Sequence, residues 1–412
     1  MNRVFDVVLY GASGFVGQQT VAYFAQHFAQ LRWAIAGRSK DKLQAIAHRY
    51  GFDDDQSRII VADSNDALAL LRLAHQTHVV LSSAGPYAIF GTPLVDACVA
   101  AQTHYVDITG ETPWVRQLID KHHDQARKDG TRIVPCCGFD SVPSDIGAWL
   151  TARAVYEHFG EPCTDVKAAF SIRGGLNGGT LASLLNIAGT EQSKQFEKPF
   201  LLNPDGTQPS DLAMHEDVIA PHRDMDFNAW VGPFVMGPIN TRVVRRSVAL
   251  RRMIEAKNDA PAFADAFHYQ EYARFGTGAK AAMTAAGVSW GMNATQIGLL
   301  FSPVRKLAQR LGPAPGEGPS EAAMDSGGFK CDFVGRTALR GQQVRGRIAT
   351  KGDPGNRATT KFVCEAAAAL VMDKLPGGKA FGGVLTPSTG IGQALVDRLA
   401  ARGVQMDFAP MA

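Results

Sequence analysis

The stretch that most constrains this chain is FDVVLYGASGFVG, residues 5–17. Phe5, Val7, Val8 and Leu9 read as a buried strand, and Gly11, Gly14 and Gly17 follow at three-residue spacing. An amphipathic helix through Val21, Tyr23 and Phe24 then begins. This pattern predicts the first βα turn of a dinucleotide site. Gly11 permits the tight turn off the strand, Gly14 lets backbone approach a pyrophosphate, and Gly17 lets the helix pack on the sheet with its N-terminus towards the phosphates. The candidate loop is therefore Gly11, Ser13, Gly14, Phe15, Val16 and Gly17. The spacing is G-x-x-G-x-x-G rather than G-x-G-x-x-G, so the argument leans on context. A second apolar strand, residues 33–36, ends at Gly37-Arg38, about twenty residues beyond the last glycine, where a ribose-reading residue belongs.

An acid at that position would bond the adenosine ribose hydroxyls, but the chain has Arg38, followed by Ser39, Lys40 and Lys42. A guanidinium near the adenine, with a hydroxyl and an ammonium beside it, suits a 2′-phosphate through charge-assisted hydrogen bonds. NADP(H) is expected over NAD(H). The alternative is a basic first helical turn left in solvent. Cations there oppose the helix dipole, which favours a ligand that brings negative charge.

The rest of the first 150 residues repeats the strand-helix rhythm. Residues 58–62 form a third strand ending at Asp63, whose carboxylate either meets the adenine edge or caps the next helix. Residues 79–83 run into Ser83, Ala84, Gly85 and Pro86, where small residues should pass the nicotinamide ribose beyond the strand end. A fifth strand over 104–108 leads to Thr109-Gly110-Glu111, and a sixth over 132–135 delivers Cys136-Cys137-Gly138-Phe139-Asp140-Ser141. His122 and His123, late in the intervening helix, are expected in solvent. Six βα units with short loops predict an α/β, doubly wound parallel sheet over 1–150.

Near residue 163 the pattern changes. Strands expected at 165–173, 234–249, 267–275, 329–338 and 343–350 suggest a second, α+β domain with a mixed sheet over 151–350. Residues 351–412 are expected to return as helices to the first domain, and the glycine-rich 384–392 reads as a structural βα turn. Gly174, Gly175, Gly178 and Gly179 precede a helix expected over 181–196, and either bind an anionic substrate group or only make a close turn. Segment 281–304 holds 24 residues without a charge. Its Thr, Ser, Asn and Gln make it too polar for a spanning helix, so it is expected to be a buried helix or a surface facing substrate, membrane or another subunit.

At 412 residues the chain has length for two cores, and a net charge of +3 gives no reason to invoke nucleic acid. Six cysteines without C-x-x-C spacing fit a reducing cytoplasm, and no signal peptide precedes the first strand. No nucleophile triad or metal-ligand cluster is visible.

Several motifs together resemble one family: GASGFVG at 11–17, AGRS at 36–39, SSAGPY at 82–87, HYVDITGE at 104–111, CCGFDSVPSD at 136–145, PGEGPSE at 315–321 and DPGN at 353–356. The chain is similar to the saccharopine dehydrogenase-like oxidoreductases, most of all to the trans-acting enoyl reductases. The resemblance implies an NADP-binding Rossmann domain with an inserted α/β substrate domain. It also implies one of two reactions: reduction of acyl chains made by polyketide synthases, or reduction of an imine as in saccharopine formation.

A reductase needs a proton donor near the nicotinamide, which limits candidates to the strand ends: Tyr87, Asp107, Glu111 and Asp140. Each has a structural alternative, Tyr87 as a cofactor wall, Asp107 and Glu111 as turn caps, Asp140 as a hinge brace. The uncharged 281–304 segment suits an acyl substrate, small or carrier-bound. Arg173, Arg242, Arg245 and Arg246 would serve an amino-dicarboxylate and keep imine reduction open. A third reading is a non-catalytic NADP-binding protein at a membrane. A homodimer would be another use of the apolar segment.

Overall fold

The computed structural model describes residues 3–411 except 53, 176–177, 179–181, 184, 186–194, 256–261, 300, 315 and 340. Strands β1 (Phe5–Tyr10), β2 (Trp33–Gly37), β3 (Ile59–Val61), β4 (Thr77–Ser82), β5 (His104–Asp107) and β6 (Arg132–Val134) pair in parallel in the order β6-β5-β4-β1-β2-β3. Both faces of this sheet are covered. Val7, Val8, Leu9 and Val79, Val80, Leu81 are therefore all fully buried, which is why they read as continuous apolar runs.

The second sheet uses β7 (Cys163–Arg173), β8 (His222–Asp224), β9 (Ala229–Gly232), β10 (Phe263–Gly276), β11 (Gly328–Thr337) and β12 (Gln343–Lys351). It is mixed, with β7 and β10 parallel and the remaining neighbours antiparallel. Aromatic side chains fill the space between this sheet and the first unit. Phe170 stacks on Phe234 at 4.4 Å, and Phe139, from the loop after β6, packs edge-on to both.

Two expectations are corrected. Residues 234–249 are not a strand. Gly237–Glu255 is a helix, with Pro238 in its first turn, where its missing N–H costs nothing. Asn240 to Leu250 are all buried, so no polar face marks the 3.6-residue period, and Val243, Val244 and Val248 mimic strand composition. The C-terminal segment is also more than returning helices. The Thr359–Met372 helix, whose four alanines Ala366–Ala369 are fully buried, does pack against β1, β4 and β5. Beyond it, β13 (Gly383–Val384) adds a seventh parallel strand beside β6, and β14 (Gln405–Pro410) pairs antiparallel with β12. A two-residue strand carries too little pattern to be read from sequence.

All six cysteines are free and buried. Among the described residues no helix is long and apolar enough to cross a membrane.

Candidate active site

The site begins where β1 turns into the Phe15–His27 helix. Gly11 has φ +82°, and a Cβ there would sit 3.0 Å from Ala84 Cβ, so the turn lies directly against the end of β4. Ser83 completes that junction. Its N–H donates to the Tyr10 carbonyl at 3.0 Å, and its hydroxyl donates to the same oxygen at 3.2 Å. Gly14 caps the helix in extended conformation without a side-chain bond, which leaves the first helical amides open to a phosphate. Gly17 is the tightest position, because a Cβ there would fall 2.1 Å from the Gly11 carbonyl oxygen. A Cβ at Gly11 or Gly17 would clash with the end of β4 or with the turn itself, so this tight turn requires glycine, and with the uncapped helix N-terminus it fits a pyrophosphate.

Arg38 is exposed directly after β2. Ser39 caps the Lys40–Arg49 helix, its hydroxyl accepting from the Lys42 N–H at 3.5 Å, so the backbone of Lys42 is turned towards this corner. Asp63 accepts from the Asn65 N–H at 2.9 Å and from Asn65 Nδ2 at 3.1 Å, whereas the cap of the Ala67–Gln76 helix is Asp66. The carboxylate of Asp63 thus shapes a turn near the adenine end. Tyr10 is placed near both Asp63 and Arg38; burial, helped by Asp63 and opposed by Arg38, pushes its phenol up to about 12.

At the other end of the cleft the four acid-base candidates occupy different environments. The Tyr87 hydroxyl donates to the Ser82 carbonyl at 3.1 Å, and its ring lies 5.5 Å from Trp114, so this side chain is a buried wall. Glu111 accepts the N–H groups of Tyr87 at 2.8 Å and Ala88 at 2.9 Å, and the Ser183 hydroxyl at 2.8 Å. It therefore holds the Gly85-Pro86-Tyr87 turn in place and ties it to the segment after β7. Asp107 accepts from the amides of Thr109 and Cys136, each at 3.0 Å, bridging the ends of β5 and β6; burial, opposed by those two bonds, pushes its carboxyl up to about 7. Asp140 differs in having no side-chain hydrogen bond to any described residue, and burial alone pushes it up to about 7. Its carboxyl is thus placed to hold a proton into the neutral range, with no described side-chain partner for it.

Three of the four arginines considered for a dicarboxylate are engaged within the fold. Arg242 pairs with Asp217, Arg245 donates to the carbonyls of Pro199 and His215 at 2.8 and 2.9 Å, and Arg246 donates to Val384 O at 2.6 Å. All three are at most 4% exposed. Arg173 is exposed at the end of β7. His122 is likewise not in solvent: it is buried, with Nε2 2.7 Å from Asp96.

Several contacts had no sequence signal. Phe15 packs against Gly318, where a Cβ would fall 2.5 Å from the ring, so the loop at 316–319 lies against the end of the glycine turn. The 353–356 motif closes the same corner: Gly174 would meet Pro354 Cδ at 2.7 Å and Gly175 would meet Pro319 Cγ at 2.9 Å. The rest of the glycine-rich turn, including Gly179 and Thr180, and most of the helix expected over 181–196 lie outside the described residues. Asp145 accepts from the Ser388 N–H at 2.7 Å and from the Ser388 hydroxyl at 2.8 Å, linking the CCGFDSVPSD helix to the C-terminal turn.

A family model described as the saccharopine dehydrogenase NADP binding domain matches residues 7–134, the span that carries the glycine loop, Arg38 and the strand ends. Two Mycobacterium tuberculosis proteins are each 36% identical to this chain. One aligns with 100% of it and 99% of its own length, the other with 98% of each. Both bear the name trans-acting enoyl reductase, the first provisionally. The chain belongs to the saccharopine dehydrogenase-like oxidoreductases, in their trans-acting enoyl reductase branch. A Mycobacterium ulcerans trans-acting enoyl reductase is 35% identical over 98% of the chain. Saccharopine dehydrogenase (L-Glu forming) from Saccharomyces cerevisiae shares the fold across 99% of the chain, with a TM-score of 0.52 at 15% identity. As a member of this family the protein is an NADP-dependent oxidoreductase. The glycine cradle fits the pyrophosphate, and Arg38 stands where a 2′-phosphate would need a cation.

Proposed function

We propose that this protein uses NADPH to reduce the activated carbon-carbon double bond of an acyl thioester, with Asp140 supplying the proton. The observation that carries the choice of C=C over C=N is the fate of Arg242, Arg245 and Arg246. Their charges are spent on carbonyls and Asp217 inside the fold, so they do not form the cationic pocket an amino-dicarboxylate needs. The full-length kinship with trans-acting enoyl reductases supports the same choice.

Bound NADPH supplies the hydride, which adds to the carbon β to the thioester carbonyl. The chain's own residues do the rest. Gly11, Ser13, Gly14, Phe15, Val16 and Gly17 would seat the pyrophosphate, Arg38, Ser39 and Lys42 would hold the 2′-phosphate, and Asp63 would meet the adenine edge. Ser83, Ala84, Gly85 and Pro86 pass the nicotinamide ribose, in a turn that Glu111 keeps in shape. Tyr87 walls off solvent. Asp107 fixes the loop bearing Asp140 through the Cys136 amide, and Asp140 delivers its proton to the α carbon.

The acyl group arrives on a carrier, as the name of the relatives suggests, and segment 281–304 faces an apolar partner, lipid or a second copy of the chain. Incubation with NADPH and either 2-enoyl thioesters or keto acid and amino acid pairs tests this reading. NADPH consumption with the thioesters alone is expected; consumption with the imine-forming pairs alone overturns it.

A further inference from the structure

The uncharged segment forms a helix, Gly278–Leu299, that packs on β9 and β10 through one narrow stripe of small residues. Ala281, Ala285 and Ser289 are buried, at four-residue spacing. On the opposite side Met283, Trp290 and Ile297 recur every seven residues and are 74%, 80% and 61% exposed. The face carrying Met283, Trp290 and Ile297 is apolar, yet among the described residues only the small-residue stripe of this helix is buried.

The next helix, Ser302–Leu311, continues the surface. Its Val304, Leu307 and Leu311 fall at i, i+3 and i+7 and are all exposed, while Lys306 and Arg310 occupy other positions on its surface. The charge pattern is one-sided. From Tyr272 to Gly316 the sequence has five cations and no acid. Arg274 is engaged by Asp332 at 2.6 Å, and the other four, Lys280, Arg305, Lys306 and Arg310, lie at the ends of the first helix and along the second.

We infer that these two helices lie flat on an anionic bilayer surface. The Met283, Trp290 and Ile297 row and the Val304, Leu307 and Leu311 edge enter the acyl boundary, and Lys280, Lys306 and Arg310 meet the phosphates. A long apolar face without acids, carrying an exposed Trp and flanked by Lys and Arg, is the chemistry of an interfacial helix. The 22-residue helix is about 33 Å long, a broad contact for a membrane plane. The inference does not depend on the proposed reaction.

The test is cosedimentation of the full chain with phosphatidylglycerol vesicles and with phosphatidylcholine vesicles, read together with tryptophan emission. Trp33, Trp114 and Trp149 are buried and Trp230 is half-buried, so the part of a blue shift on anionic vesicles that is lost in Trp290→Phe reports Trp290. Binding to the anionic vesicles only is expected, and Lys306→Gln with Arg310→Gln weakens it by roughly 30-fold, at about one interfacial increment per cation. Trp290→Ser lowers it further. Both variants sit at exposed positions, and unchanged thermal melting shows that they fold. Three results would overturn the inference: no binding to either vesicle, equal binding to both, or a dimer in solution that keeps Trp290 covered and ignores vesicles.

Discussion

We propose that the cofactor preference turns on Arg38. It is exposed at the end of β2, where an acid would bond a ribose hydroxyl and a guanidinium suits a phosphate. Arg38→Asp should move the ratio of NADPH to NADH affinity by at least ~10-fold towards NADH, the scale of a charge-assisted bond lost and a repulsion gained. Calorimetric titration of both nucleotides checks it; an unchanged ratio would remove Arg38 from the site. Asp140 carries the second residue-scale prediction. Its carboxyl is pushed up to about 7 by burial, so it holds the proton below that pH and loses it above. Turnover should therefore fall as pH rises through about 7. Asp140→Asn should lower kcat by roughly 10²-fold or more and abolish that limb, with NADPH affinity intact. A surviving limb in the variant would assign the proton to another group. Asp107 has the same elevated pKa but is anchored through Oδ1 by two amides, a difference that no spacing in the sequence reveals.

Among the elements, the glycine turn was legible because its requirements are local. Positive φ at Gly11 and the 2.1 Å approach at Gly17 leave no room for a side chain, whatever else the chain does. Gly17→Ala should cost about 1–3 kcal/mol through overpacking, and NADPH affinity should drop with it. Gly318→Ala makes the complementary test. It displaces the Phe15 ring and should weaken NADPH binding with a smaller change in melting temperature, because Gly318 lies on the covering loop and not in the sheet. Equal nucleotide affinity in Gly318→Ala and the native protein would show that the loop does not shape the cofactor site. The Gly237–Glu255 helix was misread for the opposite reason. Sequence periodicity reports the contrast between a wet and a dry face, and this helix has little contrast over Asn240 to Leu250. Its arginines, which suggest charge at a surface, instead bond carbonyls in the interior.

At the scale of the molecule, a buried polar hub joins the two units. Glu271 on β10 accepts from Ser144 on the Val142–Phe159 helix, from Tyr269, and from Asn240 on the Gly237–Glu255 helix, each at 2.8 Å. Burial, opposed by these bonds, pushes its carboxyl up to about 7. An acid whose pKa is raised on folding stabilises the native state most below its unfolded value, and this contribution is lost as pH rises towards the folded value. Stability should thus decline between about pH 4.5 and pH 7 and level off above. Glu271→Gln should lessen that decline in denaturant unfolding curves, with Asp107 and Asp140 supplying the remainder, and the fold should tolerate it, since Asn240 Oδ1 has no hydrogen-bond partner and can accept from the new amide after a flip. A slope as steep as in the native protein would place the titration elsewhere.

The amino-acid order alone was enough for the parallel sheet, the phosphate-binding turn, the phosphorylated cofactor and the family, because each rests on steric or charge requirements among neighbours within about thirty residues. Chain folding over hundreds of residues decided the rest. It drew Gly318 onto Phe15 of the glycine loop and residues 353–354 onto Gly174, and it added a last strand to each sheet. It turned three arginines inward, and of the three candidate carboxyls it left only Asp140 without a side-chain hydrogen bond to a described residue. Desolvation and long-range hydrogen bonding set those outcomes, and both depend on which distant segments come to lie against a side chain.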